Sequence, residues 1–268
     1  MGSRRMGCEM QEQLKEINEL NNSLLKLAEN LQDKFSNEKI KIDTLTADLY
    51  LLCFFFTKAS KTASAVVMLC QEGYAEDACI LVRTILEIVA KSLYIFKSDS
   101  IERARVFILH DKYERRKQLE KIVGWNRKNT IGNKELEEEL ERVKVECISL
   151  ERDFKVSKNK IMWPNLEVLC KEVGLSDNYY TVYWLSSLYV HTLIRSSRSF
   201  VSKTDSGVSF YIGPDEKLSQ DVLIWLFDLN RLIVREFDNR FNLGYKEKIS
   251  EVDEKFNKFM LKLAMNEK

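Results

Sequence analysis

The chain has 268 residues but only 9 glycines and 2 prolines, where average usage would give roughly 19 and 13. Residues that interrupt helices are therefore scarce, which disfavours a sandwich, a barrel or a glycine-looped nucleotide fold. The formal net charge is +1, from 42 basic and 41 acidic residues. No overall field therefore attracts the protein to nucleic acid or to anionic lipid, and the composition leaves the function open.

The first predicted element is a helix from about residue 9 to 36, and a leucine-rich seam runs along it. The seam residues recur at alternating steps of three and four, as in a short coiled coil. They are Ile17, Leu20, Leu24, Leu27 and Leu31. We assign residues 1–40 to an N-terminal helical extension and residues 41–268 to a single helical domain. An apolar seam of this kind need not stay exposed to solvent. We expect a second copy of the chain to cover it, which predicts a homodimer.

Glycines mark the ends of the helices that follow, because glycine is common just past a helix C-terminus. Helices are predicted over about 44–71, 75–96 and 100–122, the last one opened by a capping box at Asp99 and Glu102. The apolar run at 49–56 is followed by Lys58 and Lys61, so we expect a core segment and no membrane contact. A charge-rich helix then follows Gly132.

The second half of the chain predicts four further helices and one short strand. A short helix opens at Trp163-Pro164, and a longer one is predicted without interruption over Asn178 to Ser202. A β-prone run occupies Val208 to Ile212, and helices over about 215–242 and 246–265 complete the chain. The sequence therefore predicts an all-α protein with extra C-terminal helices.

Most cofactor chemistry is disfavoured by missing motifs. The sequence has no glycine-rich phosphate loop, no zinc-protease motif and no nucleophile elbow, so we expect no cofactor. His110 and His191 are its two histidines, which makes a metal site improbable. The six cysteines show no C-x-x-C spacing, which is typical of a reduced cytoplasmic protein.

Two polar stripes lie on otherwise apolar predicted helices. Arg83, Glu87 and Lys91 repeat at i, i+4 and i+8. They form either an exposed ladder of ion pairs or an internal polar pocket, in which Arg83 and Glu87 have to be paired.

The second stripe comprises Ser187, His191 and Arg195 at the same spacing. A histidine in such a helix is most often a packing residue, but if it faced the first stripe it would complete a pocket of arginine, glutamate, serine and histidine.

The segment IERARVFILH places His110 after both Arg103 and Arg105, at spacings that fit the R-x(4–6)-H motif of HEPN ribonucleases. In such a site histidine handles the proton of the RNA 2′-hydroxyl, arginine stabilises charge on the phosphate, and no metal is needed. Arg103 lies seven residues before His110 and hence on the same helix face. Arg105 would need a kink at the start of the motif.

Two further segments, GYAEDACILVRTILEIVAKSLYI and LCKEVGLSDNYYTVYWLSSLYVHTLIRSSRSF, resemble a bacterial family known as a domain of unknown function, DUF5677. The resemblance covers roughly residues 45 to 203 and is carried by Arg83 with Glu87, the arginines after Asp99, and the ending with Ser187 and His191. It implies an all-helical fold similar to HEPN domains and a role suspected in phage defence or as a toxin.

Two functions from different classes follow. The first is a HEPN-like protein that cleaves or binds RNA, with Arg103, Arg105, His110 and His191 as catalytic candidates. Its partners would be RNA or a neighbouring defence protein. The alternative is a non-catalytic helical module that binds a protein or a small ligand. Its pocket would use the binding candidates Arg83, Glu87, Lys91, Ser187 and Arg195.

Overall fold

The structure is a computed structural model that describes residues 2–37, 46–155, 163–204, 207–211 and 213–266, without the side chains of residues 2–10 and 198. The all-α prediction is confirmed. The predicted domain boundary at residues 40 and 41 lies outside the described residues, as does Ile212. The division of the chain at that boundary stays a prediction.

The helices span nearly all of the described chain. In order they are α1 (Gly2–Asn37), α2 (Ala47–Gln71), α3 (Ala75–Lys97), α4 (Ser100–Lys128), α5 (Lys134–Phe154), α6 (Leu166–Glu172) and α7 (Ser176–Asn178). A π-helical segment (Tyr179–Tyr183) joins α7 to α8 (Trp184–Val190), and a 3₁₀ segment (Ile194–Ser199) leads to strands β1 (Val201–Thr204) and β2 (Gly207–Phe210). The chain ends with α9 (Ser219–Phe241) and α10 (Lys246–Asn266).

The chain divides into two compact units. The first contains Met1–Leu45, Leu52–Tyr94 and Leu166–Lys268, and the second contains Thr46–Leu51 and Ile95–Asn165.

In the first unit, α1 packs against α9 and α10. The leucine-rich seam is buried along its whole length, from Ile17 to Leu31. Asn21 fixes this packing, because its Nδ2 donates to the Leu223 carbonyl oxygen at 3.0 Å. Phe56 of α2 stacks on Phe237 of α9, with ring centroids 3.9 Å apart. The seam is therefore used within the chain and does not support a dimer contact. The homodimer stays a prediction.

The second unit is centred on the helical hairpin of α4 and α5. Its small core is formed by apolar residues of both helices. They are Leu119, Val123, Leu140, Val143 and Cys147. The charged residues predicted for α5 line the outside of this hairpin, where Lys112 pairs with Glu146 at 2.6 Å.

The predicted capping box of α4 is wrong. Asp99 adopts a left-handed conformation with φ of 45° and makes no side-chain cap. The first turn is fixed instead by Ser100, whose hydroxyl donates to the Asp48 carboxylate at 2.6 Å. This contact between distant parts of the sequence explains why the local pattern was misleading.

Helix α2 is long and apolar enough to cross a membrane by length and composition alone, although half of its most apolar window is buried inside the fold. Buried core helices pass the same test, so this helix is weak evidence for a membrane role.

The predicted uninterrupted helix from Asn178 to Ser202 is also wrong, because α8 ends at Val190. The amide of Thr192 donates to the Tyr189 carbonyl, and that of Leu193 to the Leu188 carbonyl. These two bonds form a Schellman motif, with Thr192 in the left-handed position at φ of 49°. Glycine usually occupies that position, so no residue pattern signalled the break.

Candidate functional site

The central cluster of the first unit is built around Arg83 of α3. Its Cζ lies 4.0 Å from the centroid of the Tyr183 ring, a cation–π contact. Its Nη1 donates to Ser187 Oγ at 3.3 Å. The side chain is 18% exposed. Arg83 therefore connects α3 to the π-helical segment and to α8. The contact between Arg83 and Ser187 is the one expected if the two polar stripes face each other at these residues.

Glu87 lies between two cations on the same helix. Its carboxylate oxygens are 3.7 Å from Arg83 Nε and 3.7 Å from Lys91 Nζ. Both separations are ion-pair contacts that exceed the length of a hydrogen bond. Glu87 is 36% exposed. The stripe of Arg83, Glu87 and Lys91 is therefore partly buried, between the two arrangements that its spacing allowed. Its two cations and one carboxylate leave one net positive charge.

The π-helical segment turns an aromatic stack toward this cluster. The rings of Tyr179 and Tyr183 stack with centroids 4.9 Å apart, and Tyr180 meets Tyr179 edge-on at 5.4 Å. Ser187 Oγ donates to the Tyr183 carbonyl at 2.6 Å, and Ser186 Oγ donates to the Val182 carbonyl at 2.6 Å. These hydroxyls donate hydrogen bonds to backbone carbonyls of the wider π-helical turn. Such turns are often found at functional sites.

The electrostatics near the stack come from burial and from acidic neighbours. Burial, assisted by the nearby charge of Glu87, raises the pKa of the Cys170 thiol to about 11. Burial and the charge of Glu167 also raise the pKa of Tyr179. Both groups are therefore protonated at neutral pH, and they offer weak donors and no nucleophile.

His191 and Arg195 do not continue the stripe of Ser187. His191 is the C-cap of α8, Arg195 belongs to the 3₁₀ segment, and both side chains are exposed. In the part of the chain that the structure describes, no hydrogen bond or ion pair joins His191 to Arg83 or Glu87. The geometric reason is the break after Val190, which ends the helical spacing. A functional role for either residue stays a prediction.

Three of the four ribonuclease candidates lie in the second unit, on the uninterrupted helix α4. Arg103, Arg105 and His110 are all half-buried. Arg105 Cζ lies 5.6 Å from the Phe154 ring centroid, so this arginine packs against the end of α5. Because α4 is a continuous α-helix from Ser100 to Lys128, Arg103 shares a face with His110, about 10 Å along the helix axis. The helix thus favours Arg103 over Arg105 as the partner of His110.

Basic side chains elsewhere on α4 are engaged by acidic neighbours. Arg127 Nε donates to Glu137 at 3.0 Å, and Arg115 lies 3.9 Å from Glu139. The hydrogen bond from Lys117 lowers the pKa of Glu114, and His110 adds to this effect. The surroundings of His110 on this hairpin are therefore mixed in charge.

Metal and thiol chemistry find little support among the described residues. No group of three or more histidine, cysteine or acidic side chains could hold a metal ion there. The cysteines whose side chains the structure describes are free thiols. Burial raises the pKa of Cys70 and of Cys79 to about 12, so these thiols are unreactive in the folded protein.

The tyrosine stack is the part of the cluster that sequence reasoning missed. The segment YYTVYW from Tyr179 to Trp184 carries four aromatic rings in six positions. That density was a usable signal, and the four-residue spacing of Tyr179 and Tyr183 already puts their rings on one face of a helix. The contact of this stack with Arg83 depends on the packing of α3 against the π-helical segment, which the spacing alone does not predict.

Comparison with known proteins gives one match. The model of the family of unknown function DUF5677 matches residues 49–208, which include the whole Arg83 cluster and also Arg103, Arg105 and His110. No curated protein and no solved structure matches the chain significantly. The match covers more than half of the sequence, and the chain therefore belongs to this family of unknown function.

Proposed function

We propose that the protein binds single-stranded RNA through the first unit, at the Arg83 cluster and the aromatic rings beside it. The observation that carries the proposal is the row of contacts that runs from Arg83 through Tyr183 and Tyr179 to Tyr180. Tyr180 is 59% exposed, so the row begins at a half-buried cation and ends at a ring open to solvent.

This combination matches the chemistry of an unpaired RNA strand. Bases stack on exposed aromatic rings with little sequence preference, while phosphates pair with lysine and arginine. Trp184, 55% exposed and four residues after Tyr180, adds a second accessible ring. Lys91 supplies a cation that Glu87 holds only loosely, at 3.7 Å. The carboxylate of Glu87 could accept hydrogen bonds from a ribose hydroxyl or a base amino group.

The test is fluorescence anisotropy with a labelled single-stranded RNA of mixed sequence, measured on the full chain at low salt. We expect Tyr180→Ala and Trp184→Ala each to weaken binding by about tenfold, the loss of one base stack. Tyr50→Ala and Trp125→Ala are matched controls, because these rings are 62% and 59% exposed but lie in the second unit. Equal losses in the controls, or no RNA binding at low salt, would refute the proposal.

Removing one cation should change the salt dependence as well as the affinity. We expect Lys91→Gln to reduce the slope of log affinity against log salt concentration by about 0.7, the value for one phosphate contact on a single strand. An unchanged slope would show that Lys91 touches no phosphate.

RNA cleavage by a HEPN-like site is the second candidate. It is supported by the position of Arg103 and His110 on one face of the continuous helix α4, both of them half-buried. The suspected role in phage defence or as a toxin belongs to this candidate. We expect any cleavage to persist in a chelator and to be lost in His110→Ala, while RNA affinity is retained. Cleavage that needs an added divalent metal would contradict this mechanism.

A further inference from the structure

The first unit also contains a recess between the start of α3 and the β1–β2 hairpin. None of the residues of the Arg83 cluster lines it. Its cavity volume is about 390 Å³, a size typical of ligand pockets. The walls include four aromatic rings and three carboxylates. They are Tyr74, Phe200, Phe210, Tyr211, Glu76, Asp77 and Asp215.

We propose that this recess binds the cationic side chain of an arginine or lysine, presented by an extended segment of a partner protein. The proposal is independent of RNA binding at the Arg83 cluster. It assigns the recess a ligand by its chemistry, since aromatic faces and carboxylates both attract organic cations.

The carboxylates supply the charge. Neither Glu76 nor Asp77 has an ion-pair partner among the residues that the structure describes. A third carboxylate at the rim, Asp215, is already engaged, because Lys217 Nζ donates to it at 2.8 Å. Each of these carboxylates adds negative charge to the lining of the recess, and although Lys217 is near enough for Glu76 to contribute, after Asp215, to its raised pKa, it forms no ion pair with Glu76. Negative charge on the lining favours a cation there. Glu76 and Asp77 lie in the first turn of α3, where the helix dipole stabilises negative charge. The helix dipole does not explain the exposed aromatic rings.

The aromatic rings are unusually accessible for their size. Phe210 is 75% exposed, and Tyr74, Phe200 and Tyr211 are each about half exposed. Exposed rings gathered around one concavity are typical of an interaction site, because burying them on a partner removes apolar surface from water. Ring faces beside carboxylates attract the guanidinium of arginine in particular, because it stacks on planar groups.

Close backbone contacts hold the chain segments that border the recess. Gly73 has a φ of 77°, and a Cβ atom at this position would lie only 2.5 Å from the Pro214 Cβ. The Asp215 amide donates to the Gly73 carbonyl at 2.8 Å, and the Tyr211 hydroxyl donates to the Pro214 carbonyl at 2.5 Å. A preformed recess does not lose conformational entropy when a ligand enters.

The hairpin explains why the cation should come from an extended peptide. Strand β1 pairs antiparallel with β2, from Val201 opposite Phe210 to Thr204 opposite Gly207. Among the described residues the sheet has these two strands alone, so each strand keeps one outer edge open to main-chain hydrogen bonds. An added strand would place alternate side chains toward the recess.

The test uses a labelled ten-residue peptide of alternating valine and threonine with one central arginine, and a twin peptide with neutral citrulline at that position. Binding to the full chain is measured by fluorescence anisotropy. We expect the arginine peptide to bind about tenfold more tightly than its twin, the typical effect of one charge-assisted pair. Equal binding of the two peptides, or no binding of either, would overturn the proposal.

Variants then locate the site. We expect Glu76→Gln combined with Asp77→Asn to remove the preference for arginine, and Phe210→Ala to weaken the arginine peptide at least as much as its twin. Glu251→Gln, an exposed carboxylate on α10, is the control and should behave as the wild type. Circular dichroism checks that each variant is folded. A preference for arginine that survives in the Glu76/Asp77 variant would assign the cation to another surface and overturn the proposal.

Discussion

Removing the guanidinium of Arg83 is the sharpest test of how the central cluster is held together. The cation–π contact with Tyr183 at 4.0 Å contributes about 1 to 2 kcal/mol for a mostly buried arginine. The hydrogen bond to Ser187 at 3.3 Å adds about 1 kcal/mol. We therefore expect Arg83→Met, which keeps an apolar stem in place, to lower the free energy of unfolding by about 2 to 3 kcal/mol.

Glu87→Ala should have a much smaller effect. A fully buried pair would lose roughly 3 to 5 kcal/mol when one partner is removed. Glu87 is 36% exposed and both of its ion pairs are 3.7 Å long, so solvent screens them. We expect a loss of about 1 kcal/mol or less. The order of the two variants, more than either value, tests the structural interpretation.

Urea unfolding measures both variants, with the free energy taken from the linear extrapolation. Trp184 and Trp225 report on the first unit when Trp125 and Trp163 of the second unit are replaced by phenylalanine. A double-mutant cycle that combines Arg83→Met with Tyr183→Leu should give a coupling of about 1 kcal/mol. A larger loss in Glu87→Ala than in Arg83→Met, or a coupling near zero, would show that the Arg83–Tyr183 contact does not hold the cluster together.

Three further predictions concern the backbone, the pH dependence and the thiols. Thr192→Gly should stabilise the protein by about 1 kcal/mol in urea unfolding, because a β-branched residue is strained at φ of 49°. Burial raises the pKa of Asp48, but hydrogen bonds, first of all from Ser100, outweigh it and leave this pKa below its usual value. The resulting stability is present above the unfolded-state pKa and is lost as the pH falls through the folded pKa, so Asp48→Asn should flatten the acid side of a stability–pH profile. Cys70 and Cys79 should react with a thiol reagent at about pH 8 only after unfolding, since burial raises their pKa to about 12. Rapid labelling of both in the native protein would contradict their placement.

The sequence predicted the features that depend on periodicity and missed those that depend on distant contacts. The seam from Ile17 to Leu31 is buried as its spacing requires, yet periodicity could not name α9 and α10 as its partners. The spacing of the two polar stripes likewise suggested that Arg83 faces Ser187, and the two side chains form a hydrogen bond. The break after Val190 was invisible, because threonine occupies a position where the usual signal is glycine.

The candidate site shows the same division. Arg83 and Glu87 could be predicted, because a polar stripe on an apolar helix must find polar partners. The stack of Tyr179 on Tyr183 follows the same four-residue spacing, but its contact with Arg83 could not be predicted, because that contact depends on how α3 packs against the π-helical segment. The continuous helix α4 agrees with the preference for Arg103, which lies on the same helix face as His110, and the role of either arginine stays a prediction.

RNA binding and RNA cleavage place their residues in different units, so kinetics can separate the two hypotheses. Tyr180 belongs to the first unit and His110 to the second. A stacking residue stabilises the bound substrate and the transition state equally, so Tyr180→Ala should raise KM and leave kcat unchanged. A proton-transfer residue acts only in the transition state, so His110→Ala should lower kcat by at least about 100-fold with little change in RNA affinity. If His110→Ala instead weakened RNA binding and left kcat unaltered, the histidine would be a binding residue and the ribonuclease motif on α4 would lose its base.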